Sequence, residues 1–158
     1  MNRQRRAFLV KAAHLAAWSA LGAGLSGSGA GATVVALGVA SGSPLPDAVV
    51  LWTRILYDPL DAAAMPPLVL AVRWEVAADE AFTRIVASGM ASATPELAHS
   101  VHVDVTGLAP GRWYWYRFIF GDAVSQVGRT RTAPAPATLP AALKLAVASC
   151  QHWEFGAY

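Results

Sequence analysis

The chain's only cysteine, Cys150, follows an apolar run from Leu143 to Ala148 and precedes Gln151-His152-Trp153-Glu154. An apolar strand that delivers a reactive group just past its C-terminal end is how the first strand of an α/β enzyme domain begins. A thiolate in that position suits a soft or redox-active metal, or serves as a nucleophile. A lone cysteine also reads as a small, inert core side chain. It has no intramolecular disulfide partner, which leaves a free thiol, a bridge between molecules or a metal ligand.

The remaining residue types offer less. His99 and His102 fall on opposite faces of one predicted strand and cannot easily share a metal, so they read as ordinary strand histidines. Asp47, Asp58, Asp61 and Asp79 lie in predicted loops, where carboxylates bond their own backbone. No Gly-rich phosphate loop, Ser-x-x-Lys or Gly-x-Ser-x-Gly occurs. In the run Trp113-Tyr114-Trp115-Tyr116, alternation sends the tryptophans to one face and the tyrosines to the other. One face is core. The other reads as a surface that meets a neighbouring domain, in preference to a platform for bases or sugars.

The elements that position these residues begin with an export segment. The chain has 158 residues, 55% hydrophobic and 14% charged, with a formal net charge of +2. Its cations concentrate in Arg3, Arg5, Arg6 and Lys11. The rest of the chain is near neutral or acidic with no basic stripe, so nucleic acid is excluded as a partner. Arg5-Arg6-Ala7-Phe8-Leu9-Val10-Lys11 is a twin-arginine pattern, with Phe8 and Leu9 supplying the apolar residues after the pair. Ala12 to Leu25 is an Ala-rich apolar core interrupted by His14, Trp18 and Ser19, and Ala30-Gly31-Ala32 is an A-x-A cleavage site. Residues 1–32 thus read as a twin-arginine signal peptide, removed to leave Thr33 first, with the translocation machinery as partner and a periplasmic or secreted product. The apolar stretch is too short and broken for a permanent membrane anchor, which needs about 20 apolar residues.

From 33 to 132 the reading is all-β. Val34–Val39, Ala48–Arg54, Val69–Val76, Ile85–Ala91, His99–Val105, Trp113–Phe120 and Val124–Thr130 are short strands separated by turns such as Pro44-Leu45-Pro46-Asp47, Gly107-Leu108-Ala109-Pro110-Gly111 and Gly121-Asp122. Seven short strands at regular spacing predict an immunoglobulin-like sandwich, similar to a fibronectin type III domain. Trp52 is expected to fill the space between the sheets, and Val72, Trp74 and Val76 to share one face. Tyr114 stands where a tyrosine corner places an inward ring with its hydroxyl bonded back to the turn. Residues 133–142 are a Pro/Ala linker, expected to be extended and semi-rigid. Residues 143–158 then read as the first strand of an α/β domain that continues beyond Tyr158.

Several segments together resemble the alkaline phosphatase D family. They are Gly38 to Arg54, Arg73-Trp74-Glu75-Val76-Ala77, Glu80-Ala81-Phe82, His99 to Val103, Leu108 to Phe118, and Val127 to Thr132. Ser43 departs from the pattern, standing where the family commonly has Asp. The resemblance implies an immunoglobulin-like domain followed by a metallophosphatase domain. The latter hydrolyses phosphomonoesters and phosphodiesters with iron and calcium. It also implies that Cys150 ligates the iron and that further ligands lie beyond Tyr158. A monomer that is inactive alone, and binds iron weakly, is the resulting expectation. The alternative is an exported immunoglobulin-like binding or adhesion module without catalysis.

Replacing both Arg5 and Arg6 by Lys is expected to leave the precursor in the cytoplasm. Fractionation of cells expressing that double variant checks this, and normal export sinks the signal assignment.

Overall fold

The computed structural model describes residues 35–58, 61–139, 142 and 146–147. Eight strands form two antiparallel sheets. The first sheet has the order β1-β2-β5, with β1 Val35–Gly42, β2 Ala48–Leu56 and β5 Ser100–Thr106. The second has the order β4-β3-β6-β7, from β3 Leu70–Ala77, β4 Ile85–Ala93, β6 Trp113–Phe120 and β7 Ala123–Val124. β8, Gly128–Arg131, also pairs with β6. The chain changes sheet after β2, after β4 and after β5, which makes a Greek-key β-sandwich of the immunoglobulin and fibronectin type III kind.

Alternation along the strands decides what the sandwich encloses. In β5, Val101, Val103 and Val105 are buried while His102 and Asp104 face out. In β6, Tyr114, Tyr116 and Phe118 are buried, and Trp113 on the other face is 46% exposed. With Val49, Leu51 and Ile55 of β2 and Val72 and Val76 of β3, these side chains make one continuous core. Burying each such side chain is worth roughly 1.5–3 kcal/mol, so the core is the main source of stability.

Bulky residues on the middle strands are matched by small ones on the outer strands. Gly89 of β4 lies opposite Trp74, which in turn lies opposite Phe118. One residue pair along, Ala87, Val76, Tyr116 and Gly128 form a row across four strands. A Cβ at Gly89 would come within 2.7 Å of the Trp74 indole, and one at Gly128 within 2.6 Å of Tyr116 Cε1 and Oη. Each glycine is a cross-strand floor over which an aromatic ring lies. Burial raises the Tyr116 phenol above its ordinary range, and its hydrogen bond with Ser41 acts in the opposite direction.

Several sequence expectations need correction. Trp52 does not fill the core. Val49, Leu51, Thr53 and Ile55 take the inward positions of β2, and Trp52 points outward between Ala40 and His102. The strand expected from Val124 to Thr130 is broken into β7 and β8. Ser125 bridges the break, its N–H donating to Phe118 O at 2.9 Å and its Oγ accepting from Phe118 N–H at 2.9 Å. Strand β4 runs on to Ala93, two residues further than the periodicity predicts. The Pro/Ala linker is not extended throughout, because Thr138 N–H donates to Ala135 O at 2.9 Å and closes a turn. Of the expected strand Leu143–Ala148, Ala146 and Val147 lie in no strand, and the other residues fall outside those described.

Gly128→Ala is expected to destabilise the domain by about 2–3 kcal/mol, because a ring and its strand must shift to admit one methyl. Gly42→Ala, where nothing lies within 4 Å of the added Cβ, is expected to change stability by less than about 0.5 kcal/mol. Urea midpoints of the two variants check the contrast, and equal midpoints would contradict it.

Candidate functional site

Most of the sequence-predicted functional residues lie outside the described residues: Arg5, Arg6, Phe8, Leu9 and Lys11 of the export signal, Ala30 and Ala32 of the cleavage site, and Cys150. The described residues can be placed individually. His99 is buried just before β5, in a left-handed turn with φ 56°, and its Nε2 lies 3.1 Å from Leu68 O. It holds the β2–β3 connection against the sandwich. His102 is exposed on the outward face of β5. Trp74 is partly buried against the core, and Tyr114 is almost wholly buried.

Two of the candidate aspartates, Asp61 and Asp79, bond within their own turns. Asp61 Oδ1 accepts from Ala63 N–H at 2.9 Å. Asp79 accepts from Thr83 N–H and Arg84 N–H, both at 2.9 Å. Those backbone donors, Thr83 foremost, hold the Asp79 carboxyl below the usual range. Among the described residues no three His, Cys, Asp or Glu side chains converge on a point.

Two other features do converge. The first is a laced corner where the chain leaves the sandwich. Tyr114 Oη accepts from Ala109 N–H at 2.9 Å, the tyrosine-corner bond. Beside it, Thr132 Oγ1 accepts from Arg112 N–H at 3.0 Å and donates to Ala109 O at 2.7 Å. Thr132 N–H donates to Arg112 O, Gly111 N–H to Ala133 O, and Ala133 N–H to Leu45 O. Gly111 has φ 66°, a conformation open to glycine at little cost, which lets the turn double back toward the exit strand. Three separate segments, around Leu45, Ala109–Arg112 and Thr132–Ala133, thus set the direction in which the linker departs.

The second feature is the outward face of the five-stranded sheet. Of the seven arginines between Val35 and Leu139, four stand there: Arg73, Arg117, Arg129 and Arg131. Of the nine carboxylates in the same span, only Glu75 shares the face. Glu75 is 4% exposed although it points away from the core, because Arg73 and Arg117 cover it. Arg117 binds it through Nε at 2.9 Å and Nη2 at 2.8 Å, and the guanidinium also lies 4.1 Å over the Phe82 ring. Arg129 and Arg131 are placed differently. Their guanidinium carbons lie 4.4 and 5.5 Å from the centroid of Trp113, and neither has a carboxylate partner among the described residues. No basic stripe is visible along the sequence, yet the fold contains one, assembled by register from β6 and β8 rather than by adjacency in the chain.

Residues 22–134 match the family described as PhoD-like phosphatase, N-terminal domain. The chain is 52% identical over 122 residues to the alkaline phosphatase D of Bacillus subtilis (strain 168), covering 77% of this chain and 21% of that protein. It superposes on the solved structure of PhoD with a TM-score of 0.63 at 55% identity, covering 65% of this chain and 20% of that one. The chain thus spans about a fifth of the length of the relatives it matches.

Tyr114→Phe is expected to cost about 1–2 kcal/mol, since the Ala109 N–H loses its acceptor while the ring keeps its packing. Thermal unfolding of the variant checks this, and an unchanged midpoint would mean that water replaces the hydroxyl.

Proposed function

Because the chain belongs to the family of PhoD-like phosphatase N-terminal domains, we propose that it is the exported, non-catalytic N-terminal portion of an alkaline phosphatase D-like phosphomonoesterase and phosphodiesterase. The observation that carries this reading is the family match over residues 22–134, which takes in the whole sandwich from β1 to β8. The name of the Bacillus subtilis relative supports the phosphatase assignment for the longer enzyme. On this reading the sandwich positions a metallophosphatase domain that follows the Pro/Ala segment and acts on phosphate-ester substrates. The laced corner sets the direction of departure, and the outward face of β6 meets that domain.

The twin-arginine motif at Arg5 and Arg6, with A-x-A at Ala30–Ala32, supports export by the folded-protein route to the periplasm or beyond. Cys150 is proposed as an iron ligand of the phosphatase domain, in a centre that also holds calcium. A single thiolate leaves most coordination positions unfilled, so the 158-residue chain is expected to hold neither metal stably. A ferric centre binding phosphoryl oxygens supplies charge neutralisation and a polarised nucleophile when present. The sandwich contributes none of that chemistry.

The 158-residue chain, incubated at alkaline pH with p-nitrophenyl phosphate and bis-p-nitrophenyl phosphate in the presence of iron and calcium, is expected to release nitrophenol no faster than buffer. Turnover that a chelator abolishes refutes the non-catalytic reading.

A further inference from the structure

We infer that Arg129 and Arg131, held over Trp113, form a recognition site for paired carboxylates on an acidic protein surface. The proposed occupant is an acidic face of the phosphatase domain. That identity rests on the proposed function, whereas the carboxylate chemistry stands on the geometry alone.

Residues 35–139 carry more carboxylates than arginines, yet four of the seven arginines gather on one sheet face with one carboxylate. Two of those four are already committed, since Arg73 and Arg117 close over Glu75. Arg129 and Arg131 have no carboxylate partner among the described residues, and both are exposed.

Their geometry then selects the ligand. Stacking on an indole occupies the flat face of a guanidinium and leaves its N–H edge free. That edge matches a carboxylate in a bidentate fork. Residues two apart on a strand are separated by about 6.6–6.8 Å, which matches carboxylates on alternate residues of a facing strand. Carboxylates one turn apart on a helix, about 5–6 Å between Cβ atoms, also lie within reach of arginine side chains. Among the described residues Arg131 has one further tie, its Nε donating to Gly111 O at 3.3 Å, which leaves its two Nη groups for a ligand. An anionic polymer fits less well, because such ligands draw affinity from many released counterions and need a long cationic track. Here the track is two residues long, and the two cations next to it, Arg73 and Arg117, are both engaged by Glu75, which leaves that cluster a net single positive charge.

Delivery of the partner is also built in. Arg131 precedes Thr132 and Ala133, the two residues pinned to the corner. A domain joined to this exit is tethered beside the two forks, which raises its effective concentration there without requiring tight intrinsic binding. Asp79 and Glu80, on the β3–β4 turn, are the acidic residues that follow β3 in the chain. Asp79 spends its carboxylate on its own turn.

The test uses the 158-residue chain with poly-L-glutamate as probe and polyphosphate of equal charge as comparator. Binding is read by tryptophan fluorescence at low salt. Poly-L-glutamate is expected to bind the wild type more tightly than polyphosphate does. Arg129→Ala with Arg131→Ala is expected to weaken binding about tenfold, and Arg129→Lys with Arg131→Lys about threefold, because lysine keeps the charge and loses the fork. Arg84→Ala, a cation removed elsewhere, should change it less than twofold. Circular dichroism of each variant confirms an intact sandwich. A tighter polyphosphate complex, equal loss in Arg84→Ala, full retention in the double lysine variant, or no binding to poly-L-glutamate each overturns the proposal. None of these outcomes bears on the phosphatase assay, and turnover in that assay leaves the carboxylate site standing while removing its proposed occupant.

Discussion

Tyr114, Tyr116 and Phe118 stand in file along the inward side of β6, and the rest of the sandwich makes room for them. Three large rings at every second residue of one strand, with Trp74 beside Phe118, leave little space at the ends of the same rows. Strand β4 presents Ala87, Gly89, Ala91 and Ala93 to the interior, with Gly89 making room for Trp74 of β3, and β8 offers Gly128 where Tyr116 lies across it. The opposite sheet answers with Val, Leu and Ile, which fill the remaining space. Packing at crystal-like density tolerates little else, so one strand's side chains determine the permissible volumes on its neighbours.

The same alternation that turns the tyrosines inward turns Trp113, Trp115 and Arg117 outward. The outer face is thus a consequence of the inner one. Its electrostatics are unusual because Glu75 is buried on a solvent-facing surface, beneath two guanidinium groups that also cover apolar area. Removing a carboxylate from water is costly unless its lone pairs are met, and Arg117 meets them with two donors. Arg129 and Arg131 lie over Trp113 with no carboxylate partner among the described residues, so the face carries both a paired ion cluster and a pair of cations without one.

Parts of this are legible in the sequence for physical reasons. His99 to Val105 alternates cleanly because one side of β5 meets the core and the other meets water. Tyr114 is placed by the turn Leu108–Gly111 just before it, since a corner is a local motif with its donor, Ala109, five residues away. The outward facing of Trp52 is not legible because Ala48–Leu56 is apolar at positions of both parities, so periodicity carries no facing signal. Thr53, a polar residue of that stretch, turns inward because its Oγ1 donates to Gly38 O at 2.8 Å. The cationic stripe is hidden because Arg117, Arg129 and Arg131 become neighbours only through strand register. The break at Ser125 is also hidden, because a side chain there imitates a backbone ladder partner.

The corner at Thr132 also acts as a mechanical joint. Tension applied along the departing polypeptide reaches Ala133 and Thr132 first, where bonds to Leu45, Gly111, Arg112 and Ala109 share the load. These anchors belong to segments leading into β2 and β6, so force is spread across both sheets before it bears on the end of β8. Without them, a pull would open the short β6–β8 ladder one bond at a time from Arg131. With them, several bonds must yield together, and a strand of four residues is protected from peeling.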